Sequence, residues 1–120
     1  MNFTEAVTSG FQNYANFSGR NQRSAFWYWV LFCVIAAIVL GLVDSAIFGD
    51  GTPVLSGLFS LATLIPYLAV GARRLHDTDR SGWWQLLLFI PLIGIIVLIV
   101  WWASRGTPGS NRFGPNPLGE

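Results

Sequence analysis

The sequence has no lysine, one cysteine and one histidine, and only 11% of its 120 residues are charged. Each shortage removes a class of function. Cys33 stands alone, which excludes a disulfide within the chain, and with His76 it cannot supply the spacing of a zinc site. No serine motif, second histidine or acidic pair makes up a catalytic set, so no catalytic residue, metal or cofactor is assigned. A net charge of +1 gives no bulk field to draw the chain to nucleic acid. Soluble domains carry about 25% charged residues, whereas here the few charges are clumped and leave apolar stretches too long for a soluble core helix. The seven basic residues are all arginine. Arginine grips phosphate or carboxylate bidentately, which a headgroup-facing site would favour; a GC-rich genome produces the same bias without any function.

What the chain does have is hydrophobic length, with 52% apolar residues, most of them in three runs, 25–48, 54–72 and 83–103. The first covers about 35 Å as a helix, enough to cross a hydrocarbon core of about 30 Å. It begins only after Arg23 and is roughly twice as long as the apolar part of a signal peptide. Phe26, Trp27, Tyr28 and Trp29 crowd its first turn as an interfacial aromatic belt would. Ala37, Gly41 and Ser45 form a small-residue stripe that lets another helix approach. Pro66 in the second run leaves the carbonyl of Ala62 without its helical donor. Trp83-Trp84 and Trp101-Trp102 bracket the third run, about 26 Å apart if it is one helix, with Pro91 as a second kink.

Ahead of the runs, Phe3, Val7, Phe11, Tyr14 and Phe17 recur at helical spacing, and Asn2 with Glu5 outlines a capping box. This predicts a short amphipathic helix lying in the interface. The fold expected is therefore an all-α membrane protein. An interfacial segment (1–24) precedes a three-helix transmembrane bundle (25–103), and a glycine- and proline-rich tail (104–120) follows. That tail is either a disordered end or a cap with Phe113 tucked against the bundle. With three crossings, Arg20, Arg23, Arg73, Arg74 and Arg80 fall on one side and Arg105 and Arg112 on the other. The excess places the N-terminus in the cytoplasm and the C-terminus on the periplasmic or extracytoplasmic side.

The densest polar stretch, R-R-L-H-D-T-D-R-S-G-W-W at 73–84, joins the second and third runs. Arg20, Arg23, Arg73, Arg74 and Arg80 converge at its surface as a candidate site for an anionic lipid headgroup or the acidic segment of a membrane-protein partner. His76, Asp77, Ser81, Trp83 and Trp84 would support that site, Ser81 by capping the third helix and Asp77 by orienting arginines. The same features also have purely topological uses. Two other classes stay open: a subunit of an oligomeric transporter assembled through the Ala37–Gly41–Ser45 stripe, and a membrane enzyme using His76. Adjacent helical residues point about 100° apart, so His76 and Asp77 are poorly placed as a dyad.

Four strings carry a resemblance: F-S-G-R-N-Q-R-S-A-F-W-Y-W at 17–29, the 73–84 string, P-L-I-G at 91–94 and G-S-N-R-F-G-P-N-P at 109–117. In this order, over nearly the whole chain, the sequence resembles the small bacterial inner-membrane proteins grouped as domain of unknown function 805. The resemblance implies an inner-membrane location, a compact helical bundle and an ordered tail, and it implies no activity. Asp79 stands where that resemblance leads one to expect glycine.

Overall fold

The computed structural model describes residues 2–49 and 51–118, and these are helical without a strand; one isolated bridge joins Asn111 and Gly114. Helix α1 (Phe3–Gln12) opens with the capping box read from the sequence: Glu5 N donates to Asn2 Oδ1 at 2.8 Å and Asn2 N to Glu5 Oε1 at 3.2 Å. It stops at Gln12, short of Phe17, and Asn13 caps it with backbone and side-chain nitrogens that both donate to the Ser9 carbonyl. Phe3 and Phe11 pack against Tyr28, Trp29 and Phe32. Gly10 is needed there, since a Cβ would run into the Trp29 ring.

Helices α2 (Arg23–Phe48) and α3 (Val54–Asp77) form an antiparallel pair, both long and apolar enough to cross a bilayer. Their outer faces are apolar and open, with Leu42 68% and Leu61 72% exposed. The residues at 70–78, which include Arg73, Arg74, His76 and Asp77, are all buried. This is the reverse of a water-soluble domain and fits a chain solvated by lipid along its helices. At the other end, buried Asp44 accepts from Leu55 N at 2.7 Å and from the Ser56 amide and hydroxyl, capping α3 from the neighbouring helix. Pro66 leaves α3 continuous, and the Ala62 carbonyl it frees accepts instead from the Tyr14 hydroxyl.

The third apolar run does not form the single helix expected over 83–103. A 3₁₀ helix (Gly82–Phe89) and an α-helix, α4 (Ile93–Ala103), fold back on each other as a hairpin. Its tip is a tight turn in which Ile93 N donates to Pro91 O at 2.8 Å, with Leu92 held at φ 66°. Pro91 thus lies in a chain reversal rather than at a helix kink. Gly94 lets the arms close, because a Cβ there would run into the Leu87 carbonyl. The tryptophans that should mark opposite ends meet at one end: the Trp84 and Trp101 rings are 5.5 Å apart.

That reversal brings the tail back to the 73–84 turn, whereas three crossings would put a bilayer between them. Thr107 N donates to Asp77 O at 2.8 Å, Asn111 Nδ2 to His76 O at 2.9 Å, and Arg112 to the Asp79 side chain and carbonyl. Of the two forms open to the tail in the sequence, the chain adopts the ordered cap. All seven arginines consequently gather at one end of the molecule, Arg105 between the Ser104 and Gly106 contacts of the tail.

Candidate functional site

The polar end is built on the last turn of α3, which stays helical past Ala72 as far as Asp77. Its C-terminus closes with two reversed bonds, Arg80 N to Leu75 O at 2.9 Å and Asp79 N to His76 O at 2.9 Å. This closure puts Asp79 in the left-handed region at φ 60°. A position of that kind favours glycine, which gives a physical reason for the glycine expected there.

Asp77 is the hub. Its carboxylate takes Arg20 Nε at 2.9 Å and Arg74 Nη1, all three side chains being almost wholly buried. The remaining donors of both arginines go to main-chain carbonyls. Arg20 reaches Gly109 O at 2.7 Å and Thr107 O at 2.7 Å; Arg74 reaches Trp102 O at 2.8 Å, Asn21 O at 3.1 Å and Ser104 O. Three separate stretches of chain are thereby tied to one helix end. A guanidinium suits this task because its fork of donors satisfies several carbonyls that neither water nor regular structure reaches. Gly106 allows the tail to lie on the carboxylate, where a Cβ would collide with Asp77.

The five arginines of the sequence reading therefore divide into groups. Arg20 and Arg74 meet at Asp77. Arg73 points to the other side of α3, where Nη1 donates to the carbonyls of Asn13, at 3.1 Å, and Asn16. Arg23 is exposed at the start of α2 and makes one long bond, 3.4 Å, to Ala103 O. Arg80 lies over the Trp101 ring at 4.6 Å. Among the supporting residues, Ser81 caps the 3₁₀ helix by accepting from Trp83 N at 3.3 Å, and Trp83 itself is 79% exposed. Along α2, Ala37 and Ser45 are exposed, and a Cβ on Gly41 would meet nothing.

His76 is occupied. Its ring stacks on Phe113 at 4.0 Å, and Nδ1 lies 2.9 Å from Gly19 O. A carbonyl only accepts, so Nδ1 carries the hydrogen of this contact. Among the described residues no three His, Cys, Asp or Glu side chains gather to hold a metal. Beside Arg73 lies a cavity of about 360 Å³ between the end of α1 and residues 18–22. Sequence reasoning missed Asn21, Thr107 and Asn111 as partners of this end, and had Phe113 only as the contact of a capping tail. The only signal for Thr107 and Asn111 was the string at 109–117 and its neighbourhood, whose polar residues have no local helix to serve.

Apolar helix faces open to the outside, together with a buried polar end, define an integral membrane protein of the all-helical class. The chain belongs to the family described as Protein of unknown function (DUF805), which it matches over residues 14–115. It is 44% identical over 109 residues to Inner membrane protein YhaH of Escherichia coli strain K12, covering 88% of this chain and 90% of that one. Inner membrane protein YhaI of the same strain is 47% identical over 106 residues, covering 88% and 89%. The Uncharacterized protein YiiR is 30% identical over 125 residues, covering 82% and 84%. No solved structure matches the chain. Like YhaH and YhaI, this is an inner-membrane protein.

Proposed function

We propose that the protein is a non-enzymatic binding or scaffolding component of the inner membrane that presents its arginine-bearing end to anionic lipid headgroups on the cytoplasmic side. In this reading α2 and α3 cross the bilayer, the hairpin at 82–103 enters and leaves on the cytoplasmic side, and both ends of the chain lie in the cytoplasm. The observation that carries it is the gathering of every arginine at one end, which sharpens the five-to-two excess of a three-span arrangement into a one-sided distribution.

The residues that engage headgroups are those at the rim: Arg23, Arg80 and Arg112, the last sharing an exposed ion pair with Asp79 at 3.2 Å. Arg20 and Arg74 are committed to Asp77 and the tail, and act by holding the rim in place. His76 and Asp77 are engaged with Gly19 and the two arginines respectively, an arrangement that favours support over acid–base chemistry. The test is retention of anionic lipid through purification in a mild, phosphate-free detergent, followed by native mass spectrometry. Arg23→Ala, Arg80→Ala and Arg112→Ala combined should strip phosphatidylglycerol and cardiolipin; unchanged lipid content contradicts the proposal.

A second reading, assembly of copies along α2 as a scaffold or transporter subunit, is favoured by the Ala37–Gly41–Ser45 stripe, whose Ala37 and Ser45 are exposed and where a Cβ on Gly41 would meet nothing. Native Cys33 is buried and reports poorly on such pairing. An introduced Ala37→Cys tests it: disulfide dimers in native membranes support assembly, and monomers under strong oxidation count against it.

A further inference from the structure

Arg73 differs from the other buried arginines of this end. It is 3% exposed, and no carboxylate among the described residues pairs with it. Its Nη1 is satisfied by two main-chain carbonyls, while its Nη2 is buried without any hydrogen-bond partner. A buried guanidinium without a counter-charge is among the more costly arrangements in a fold, and leaving one of its nitrogens unmatched adds to that cost. The same side chain lines the cavity of about 360 Å³, a volume within the range of small-ligand sites.

Six neutral polar residues, Ser9, Asn13, Asn16, Ser18, Asn21 and Gln22, share the lining with Gly19, Ala25 and Pro117. Arg20 also borders the cavity, but its charge is shared with Asp77, so the local balance of Arg20, Arg73, Arg74 and Asp77 remains positive. Gln22 and Ala25, at the start of α2, put the cavity at the level where the apolar run begins, which is headgroup depth.

We propose that this cavity is a binding site for a phosphate group, with the Arg73 guanidinium as its anchoring cation and amides and hydroxyls around it completing the shell. Phosphate fits better than carboxylate because it offers more acceptor oxygens to a ring of neutral donors around one strong cation. The group belongs either to a phospholipid headgroup or to a soluble phosphate compound. The inference stands apart from the rim arginines, none of which lines the cavity.

The test uses the full chain in dodecyl maltoside, which carries no phosphate. Inorganic phosphate is titrated in one arm and phosphatidylglycerol in mixed micelles in the other, with sulfate-free, constant ionic strength. Binding is read from the melting temperature and from adducts in native mass spectra. The parent should bind at least one probe saturably. Saturation by phosphatidylglycerol alone identifies a lipid headgroup, and saturation by inorganic phosphate identifies a soluble source.

Arg73→Lys removes the guanidinium fork but keeps the charge, and should weaken binding about tenfold or more, the loss expected for one charge-assisted bond. Ser18→Asp places a carboxylate at the cavity on a side chain whose hydroxyl makes no hydrogen bond in the protein; it should abolish binding without lowering the ligand-free melting temperature. If Arg73→Lys does not fold, Ser18→Asp decides alone. Absence of saturable binding in both arms, or parent-like affinity in the Ser18→Asp variant, overturns the proposal.

Discussion

Replacing Asp77 by asparagine probes the polar end most severely. The substitution keeps the size of the side chain and one acceptor but removes the charge that balances Arg20 and Arg74. Both guanidiniums are essentially inaccessible, with side-chain exposures of 1% and 0%. Breaking one buried pair by removing a partner costs about 3–5 kcal/mol, because the remaining charge is left uncompensated. Here two cations lose the same anion, and the new amide also turns a donor toward a guanidinium that can only donate. Against a total stability of about 5–15 kcal/mol, a loss of this size depletes the folded state.

Asp79→Asn is the matched control. It makes the same charge change in the Asp79–Arg112 pair, whose side chains are 44% and 62% exposed, where about 0–1 kcal/mol is at stake. Thermal unfolding in dodecyl maltoside should place Asp77→Asn far below the parent and Asp79→Asn close to it. Trypsin should cut after Arg105 and Arg112 faster in Asp77→Asn, since Arg20 then holds Thr107 and Gly109 less firmly. Equal melting temperatures and equal cleavage rates for the two variants would refute the hub assignment.

Three further outcomes follow from single contacts. Asp79→Gly relieves a left-handed residue and should raise the melting temperature, by up to about 1 kcal/mol of stability after the exposed ion pair is lost; a drop in melting would show that the pair outweighs the backbone. Tyr14→Phe should cost about 1 kcal/mol in the parent and much less in Pro66→Ala, where Ala62 O regains a helical donor; equal costs in both backgrounds would sever the link between that hydroxyl and the proline. Gly94→Val should destabilise the protein and open the Trp84–Trp101 contact, read as altered tryptophan fluorescence, while Gly41→Val, with open space around it, should leave folding intact.

The parts legible in the sequence were those fixed by local chemistry. The capping box at Asn2 and Glu5, the two long apolar helices and the carbonyl freed by Pro66 all follow from spacing and from what proline lacks. The hairpin at 82–103 was not legible because hydropathy measures length and composition, and a mostly apolar run looks alike straight or folded. The deciding features are a γ-turn at Leu92 and the missing Cβ of Gly94, both conformational facts that composition does not express. The arginine end was half legible. Clustering by sequence brought Arg20, Arg73 and Arg74 to one surface, but which guanidinium meets Asp77 depends on where the tail lies. The tail's position depends in turn on the hairpin's reversal, so a straight third helix also separated Arg105 and Arg112 from the other five arginines. The resemblance to a known family at 109–117 was the stronger guide there, since it implied order where composition left both forms open.

The account rests on that reversal, and thiol accessibility measures it directly. In a Cys33→Ala background, single cysteines at Thr52, in the α2–α3 connection, and at Ser110, in the tail, are treated with a membrane-impermeant maleimide in cells with a permeabilised outer membrane. Labelling of the Thr52 position alone, with Ser110 reached only after the inner membrane is opened, is the predicted result. Labelling of both positions with the inner membrane intact contradicts the reversal, and labelling of Ser110 alone keeps the reversal but overturns the proposed cytoplasmic placement of the arginine-bearing end.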